Sequence, residues 1–124
     1  QVDVKQVEGP PGYYGVLFRA TSEDNLYYFW VQDDGYYGLS YADGENWGSL
    51  IDMTYSEAIK QNSWNNLKLE AVGPHIALYI NGELLGSVMD ENYVEGQVAV
   101  VAETPSDVDH IKVLFDNFSI ESLE

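Results

Sequence analysis

Residues 62–88 read NSWNNLKLEAVGPHIALYINGELLGSV, and this stretch decides the fold class. It contains two apolar runs, residues 67–72 and 76–80, which a Gly73-Pro74 break separates, and a third run follows Asn81-Gly82. Asn-Gly between alternating apolar residues is a strong hairpin signal, because a type I′ turn requires a positive φ at both of its central positions. The stretch predicts an antiparallel meander, whose last hairpin would pair Ile80 with Glu83, Leu78 with Leu85 and Ile76 with Ser87.

The remaining sequence alternates between short apolar runs and clusters of turn residues. Val2 and Val4 alternate with polar neighbours, as in a half-buried strand. Turn residues follow at Gly9-Pro10-Pro11-Gly12, at 33–35 and at 43–46. Turn signals at intervals of about ten residues predict an all-β sandwich or barrel.

Three segments lead to more specific expectations. Residues 96–103 form a near-continuous apolar run, which predicts a strand that is covered on both faces. The apolar alternation changes phase between Phe115 and Phe118, which predicts a bulge near Asp116-Asn117. Residues 55–61 fit a single helical turn or an irregular crossover loop equally well.

The composition is strongly acidic, with 21 Asp and Glu residues, five Lys and Arg residues and a formal net charge of −16. Such a surface repels phosphate groups, so nucleic acids and anionic lipids are poor partners, whereas neutral sugars and calcium ions remain open as ligands. No apolar run approaches the ~20 residues that span a bilayer, so membrane insertion is not expected. The absence of cysteine excludes disulfides and Cys-ligated zinc.

Several short motifs resemble those of a known family. Trp64-Asn65, the Leu67/Leu69 alternation and Tyr79-Ile80-Asn81-Gly82 resemble the "WN…lyvNG" stretch of concanavalin A-like (laminin G-like) jelly-roll domains. Residues 14–19 resemble that family's "GlvFR" strand, and residues 115–118 resemble its closing "FDNf" strand. Within the family, the chain is most similar to bacterial domains related to the 3-keto-disaccharide hydrolase family.

This resemblance implies an all-β fold, a two-sheet antiparallel β-sandwich of the concanavalin A-like jelly-roll type. It also implies that the concave sheet face binds the ligand, with Arg19 matching the family's "FR" arginine. It also implies an extracellular or cell-surface location. We interpret residues 1–124 as a single jelly-roll domain excised from a larger protein, with neighbouring domains in the full-length chain.

Strand alternation predicts which side chains share the ligand face. If Phe18 and Phe29 face the core, then Tyr28 and Trp30 lie on the opposite face together with Arg19. A three-residue turn at 33–35 adds further residues to that face. Aromatic rings and planar polar groups are typical of sugar sites. The candidate ligand-binding residues are Arg19, Tyr28, Trp30, Tyr36, Ser40, Trp47 and Glu103. Whether Glu103 lies near Arg19 depends on the sheet order of residues 96–103, which the sequence leaves open.

Simpler explanations exist for the same residues. The chain has ten tyrosines, and aromatic residues in strands often serve cross-strand packing rather than ligand contact. Arg19, the only arginine, could instead pair with a surface carboxylate, which is worth ~0–1 kcal/mol.

The acidic residues do not form a recognisable catalytic motif. Glycosidases use two carboxyl groups at a defined separation, and the glucanases of this superfamily carry an E-x-D-x-E strand motif that is absent here. The sequence therefore favours a non-catalytic carbohydrate-binding or recognition module. A glycoside-processing hydrolase domain and a structural protein-interaction domain are the alternatives.

A structural calcium ion is the one cofactor that the sequence suggests. Calcium requires six to eight oxygen ligands, and jelly-roll domains of this kind often hold a structural calcium. The candidate metal ligands are Asp33, Asp34 and Asp116. Solvated turn carboxylates are the alternative interpretation.

Overall fold

The computed structural model describes residues 1–105 and 110–121, and the regular structure in these ranges consists of ten β-strands. The strands are β1 (Val2–Glu8), β2 (Tyr13–Ser22), β3 (Asn25–Gln32), β4 (Tyr36–Asp43), β5 (Asn46–Tyr55), β6 (Asn65–Val72), β7 (His75–Ile80), β8 (Glu83–Met89), β9 (Gln97–Glu103) and β10 (Lys112–Asp116).

The strands form two five-stranded antiparallel sheets. Sheet A has the order β10-β1-β6-β7-β8, and sheet B has the order β5-β4-β3-β2-β9. Each sheet contains a local meander, β6-β7-β8 in sheet A and β2 to β5 in sheet B, to which strands from elsewhere in the chain are added. The predicted two-sheet antiparallel β-sandwich is confirmed.

The core lies between the two sheets and is built from alternate residues of each strand. Val2 and Val4 of sheet A are fully buried, as predicted, and they share the core with Phe18, Phe29 and Leu39 of sheet B. Each such side chain contributes about 1.5–3 kcal/mol to folding by leaving water. The burial pattern fixes which face of sheet B points outward.

The β7–β8 hairpin confirms the predicted turn but corrects its register. Asn81 and Gly82 have φ angles of 50° and 84°, as a type I′ turn requires, and Ile80 pairs with Glu83. A bulge then shifts the register, so that Leu78 pairs with Gly86 and Ile76 pairs with Val88 instead of Leu85 and Ser87.

The bulge at Leu85 has a structural role. The hydroxyl group of Tyr37, on sheet B, donates a hydrogen bond of 3.0 Å to the Leu85 carbonyl oxygen. Because a bulge redirects backbone groups that would otherwise join the ladder, this carbonyl becomes available to link sheet A to sheet B.

The structure settles two expectations about the strands β9 and β10. Strand β9 is an edge strand that pairs with β2 alone, and Val98 and Val100 are 36% and 37% exposed. The expectation that both of its faces are covered was therefore wrong. Strand β10 ends at Asp116 and Asn117 has a φ of 54°, so the phase change marks the end of a strand instead of a bulge within it.

The segment between β5 and β6 is irregular and contains no helix in residues 56–64. Along residues 1–105 and 110–121, no helix is long and apolar enough to cross a membrane.

Candidate functional site

The outward-facing side of sheet B carries an aromatic surface, which we call the aromatic face. Residues directly opposite each other in antiparallel strands point to the same side of the sheet, so the register defines its rows. The first row runs through Glu103, Tyr13, Gln32, Tyr36 and Tyr55; the second through Val101, Gly15, Trp30 and Gly38; the third through Ala99, Leu17, Tyr28, Ser40 and Ser49; and the fourth through Leu26, Ala42 and Trp47.

Trp30 lies at the centre of the aromatic face and is held in place on two sides. Its indole Nε1 donates a hydrogen bond of 3.2 Å to Ser40 Oγ. Its ring lies against Gly38, and its centroid is 5.9 Å from that of Tyr13 in an edge-on arrangement. Because the indole is oriented before any ligand arrives, little rotamer entropy would be lost on binding.

Gly38→Ala should displace the Trp30 ring without unfolding the domain. A Cβ at this position would lie 2.4 Å from Trp30 Cζ2, so the indole would have to move away from Ser40. We expect a shift in tryptophan fluorescence and a loss of about 1–3 kcal/mol of stability. Gly44→Ala is the control, because a Cβ at Gly44 would meet nothing within 4 Å, although its φ of 67° adds local strain. If the tryptophan fluorescence of Gly38→Ala is as unchanged as that of Gly44→Ala, the packing described for Trp30 is contradicted.

Tyr28 lies beside Trp30 and is almost completely buried, with 8% exposed. It packs with Leu26 and Ala42 in a second apolar cluster, which is separate from the main core. Its hydroxyl oxygen is the one buried side-chain polar atom in the described residues that lacks a hydrogen-bond partner. Burial, and to a smaller extent the charge of Glu103 and the nearby Tyr13, raises the pKa of Tyr28, so this hydroxyl stays protonated at neutral pH.

Two further aromatic side chains of the same face are exposed. Trp47 is 61% exposed and Tyr36 is 37% exposed, and the Tyr36 ring packs edge-on against Tyr55 with centroids 5.5 Å apart. Glu103, at the end of β9, is exposed and lies opposite Tyr13. Of the predicted ligand-binding residues, the structure brings Tyr28, Trp30, Tyr36, Ser40, Trp47 and Glu103 to one face.

Arg19 does not belong to this face. The register of β2 shifts after Phe18, and Arg19 has a φ of 50° and is only 9% exposed. Its Nη1 donates hydrogen bonds to the carbonyl oxygens of Gly73 at 2.7 Å and Tyr93 at 3.2 Å. The arginine therefore ties β2 to the β6–β7 turn and to the loop before β9, which corrects its expected position beside Tyr28.

The sheet order places Glu103 far from Arg19. Glu103 pairs with Tyr13 at the start of β2, six residues from Arg19. At 3.2–3.4 Å per residue this places the two backbones about 20 Å apart. Glu103 therefore lies near Tyr13 and Tyr28 and not near the arginine.

The three candidate metal ligands lie in two places. Asp33 follows β3 and is fully buried, where it accepts hydrogen bonds from Tyr14 Oη at 3.2 Å and from the Asn62 amide at 2.9 Å. Burial raises the pKa of Asp33, and these two hydrogen bonds offset part of that shift. Asp34 is exposed beside it, whereas Asp116 lies on sheet A opposite Asp3.

Within residues 1–105 and 110–121, no group of three or more His, Cys, Asp or Glu side chains is placed to hold a metal ion. The chemistry of Asp33 also differs from that of a calcium ligand, because its two oxygens are already hydrogen-bonded to protein donors. The predicted ligands therefore do not form a common site, and calcium binding stays a prediction.

Two tyrosines of the aromatic face were not among the candidate ligand-binding residues. Tyr13 shares the alternation of β2 with the face, so the pattern could have identified it. Tyr55 could not have been found in this way, because the β4–β5 register shifts twice between Tyr36 and Ser40.

The fold resembles that of a carbohydrate-binding module and of two galectins. A carbohydrate-binding module, CBM66 from Bacillus subtilis, superposes with a TM-score of 0.75 at 21% identity, covering 94% of this chain and 69% of that one. Sheep galectin-11, in complex with glycerol, gives a TM-score of 0.61 at 14% identity, with coverage of 91% and 87%. A Caenorhabditis elegans galectin gives 0.53 at 17% identity, with coverage of 91% and 81%.

These likenesses support a concanavalin A-like β-sandwich, since identities this low establish the fold alone. No curated protein matches the sequence significantly. Residues 1–121, however, match one family over almost the whole chain. The chain therefore belongs to the 3-keto-alpha-glucoside-1,2-lyase-like domain family.

Proposed function

We propose that this domain is a non-catalytic carbohydrate-binding module and that its aromatic face binds the saccharide. The observation that carries the proposal is the fixed indole of Trp30, oriented by Ser40 and Gly38 on the same face as the exposed rings of Tyr36 and Trp47. Aromatic faces of this kind accept the C–H surfaces of pyranose or furanose rings. The carbohydrate-binding module and galectins that share the fold are consistent with this role.

The polar groups of the face suit a neutral sugar. Ser40 and Gln32 offer uncharged hydrogen-bonding groups between the aromatic rings, and Glu103 at the edge offers a carboxylate. Two neighbouring hydroxyl groups of a neutral sugar can donate hydrogen bonds to the Glu103 carboxylate. The carboxylate of a uronic acid would instead be repelled by Glu103 and by the net charge of −16. We therefore expect neutral oligosaccharides to bind in preference to acidic ones.

A hydrolytic role finds less support on this face. Hydrolysis of a glycosidic bond generally uses two carboxyl groups that flank the scissile bond. Among the described residues that form the rows of the aromatic face, Glu103 is the one carboxylic acid. The family description names a lyase. Release of a smaller product when the domain is incubated with a bound saccharide, measured by mass spectrometry, would therefore contradict the non-catalytic role. An extracellular or cell-surface location remains a proposal.

A glycan array with and without calcium would test the proposal. Trp30→Ala should lower affinity for any bound saccharide at least about tenfold, because it removes the central stacking ring. The matched control is Trp64→Ala, which removes a 45% exposed tryptophan just before β6 of sheet A.

The two variants need similar melting temperatures for the comparison to hold. Equal affinity losses in both variants would contradict the assignment of the site. The absence of binding to any saccharide, with calcium supplied, would contradict the function itself.

A further inference from the structure

The free edge of β9 differs from the rest of the molecular surface. Strand β9 pairs with β2 on one side only, and its other edge has no partner strand in the described residues. Residues 97–102, QVAVVA, carry no charge in a chain with 21 acidic residues. Natural edge strands are usually protected by charges, prolines or bulges. This strand has no charge and no proline between Gln97 and Ala102, and the extra residue of the register shift near Ala99 lies on the β2 side of the pair. An unprotected edge of this kind is suited to pairing with another strand.

The inner side of β9 is also incompletely covered. Val98 and Val100 point toward the core, yet they are 36% and 37% exposed. Val98 lines a cavity of about 510 Å³, whose apolar wall comes from both sheets and includes Phe18, Phe29 and Leu67. The sandwich is therefore open along the seam next to β9, and a strand added at this edge would cover that opening.

We propose that this edge is an interface between two copies of the chain, in which β9 pairs antiparallel with β9 of the second copy about a two-fold axis. In such a pair the residue on the two-fold axis faces its own symmetry mate, residues equally far before and after it face each other, and inward-facing residues must face inward-facing residues. The axis must therefore pass through a residue position, so the alternatives near the centre of β9 are Ala99, Val100 and Val101.

Charge and proline select one of these three registers. An axis at Ala99 would place Glu95 opposite Glu103, and like charges in opposed positions are destabilising. An axis at Val101 would place Pro105, which has no amide hydrogen, opposite Gln97. An axis at Val100 places Gln97 opposite Glu103 at both ends, so that an amide meets each carboxylate and no two acids within 95–105 are opposed. In this register Pro105 lies opposite Glu95, which is outside the strand Gln97–Glu103, so no pairing position within β9 is lost.

The interface would join the two copies of sheet B into one continuous sheet. Val98 of one copy would lie opposite Ala102 of the other, so the open seams of both sandwiches would be covered by the same contact. Both aromatic faces would point to the same side of the joined sheet. This arrangement does not depend on what the aromatic face binds, and it can be tested without any saccharide.

Cysteine cross-linking tests the axis directly, because the chain has no cysteine of its own. In an antiparallel pair, directly opposed Cα atoms lie about 4.5–5.5 Å apart, which is within the range of a disulfide. Val100→Cys should therefore form a disulfide-linked dimer under mild oxidation. Leu114→Cys, on the exposed side of edge strand β10, is the control, because Leu114 is 39% exposed and Val100 is 37% exposed. Equal cross-linking of the two variants would overturn the proposal.

Charge variants at Gln97 test the same register without a covalent bond. Gln97→Lys should lower the dimer dissociation constant in sedimentation equilibrium, and Gln97→Glu should raise it, each by a factor of about two to thirty for two cross-strand charge pairs. Gln61→Lys and Gln61→Glu, in the exposed loop before β6, change the net charge equally and should have smaller effects. A wild-type chain that stays monomeric at every concentration, also at high salt, would overturn the proposal.

Discussion

Asn65→Ala is expected to lower the free energy of unfolding by about 3–5 kcal/mol. The Asn65 side chain is fully buried at the start of β6. Its Nδ2 donates to Tyr14 Oη and to the Lys60 carbonyl oxygen, both at 2.9 Å, and its Oδ1 accepts from the Lys60 amide at 2.8 Å. Asn81 Nδ2 also donates to Oδ1, at 3.0 Å.

The cost is large because alanine would leave several of these partners buried without a hydrogen bond. Each buried polar group left unsatisfied costs about 1–3 kcal/mol. Tyr14 also donates to Asp33, so the asparagine connects β2 of sheet B with the loop before β6 and with the β7–β8 turn. Burial is the main cause that raises the pKa of Tyr14, and the charge of Asp33 adds to it. The Tyr14 hydroxyl group therefore stays protonated and remains a hydrogen-bond donor at neutral pH.

Denaturant unfolding would measure the effect, with Asn66→Ala as the matched control. Asn66 is the next residue, and its side chain makes one hydrogen bond, of 2.9 Å, to Asp3 in a half-buried position. We expect this control to lose about 1 kcal/mol. A loss at Asn65 no greater than that at Asn66 would show that the buried network is not important for stability.

Arg19→Met is expected to destabilise the domain by about 2–3 kcal/mol and to leave saccharide affinity unchanged. Hydrogen bonds from a charged donor contribute more than neutral ones, and the variant would leave the Gly73 and Tyr93 carbonyl groups without this donor. Methionine retains most of the apolar stem. The result separates a structural arginine from the polar ligand anchor that the sequence suggested.

Lys68→Met is the control for Arg19→Met. Lys68 is a basic residue of sheet A that forms an exposed ion pair of 3.2 Å with Glu70, and exposed pairs contribute about 0–1 kcal/mol. Thermal unfolding and a binding titration on the same samples would measure both quantities. A selective loss of saccharide binding in Arg19→Met, with an unchanged melting temperature, would contradict the structural role.

The fold class was predictable from sequence because its signals are local. Alternation in β1 and the Asn81-Gly82 turn each depend on residues that are neighbours in the chain. Register was less predictable, since the bulge at Leu85 depends on a partner in the other sheet, the Tyr37 hydroxyl group. The open position of β9 was missed because an apolar run does not reveal whether a second layer covers it.

The side chains of β3 and β4 on the aromatic face were predictable for the same reason, whereas the position of Arg19 was not. Alternation correctly placed Tyr28, Trp30 and Ser40 on one side, because β3 and β4 pair without interruption. One residue with a positive φ in β2 was enough to invalidate the alternation beyond Phe18. The buried network around Asn65 left no periodic signal, because its members come from distant segments.

The strand order also has a consequence for how the chain folds. Pairing within β2 to β5 and within β6 to β8 requires only short loops to close, whereas β1 must find β10 and β2 must find β9 across most of the chain. Contacts of long sequence separation slow folding, because the chain loses loop entropy before the contacts form. The two meanders are therefore expected to form early, and the pairing of β1 with β10 and of β2 with β9 sets the overall rate.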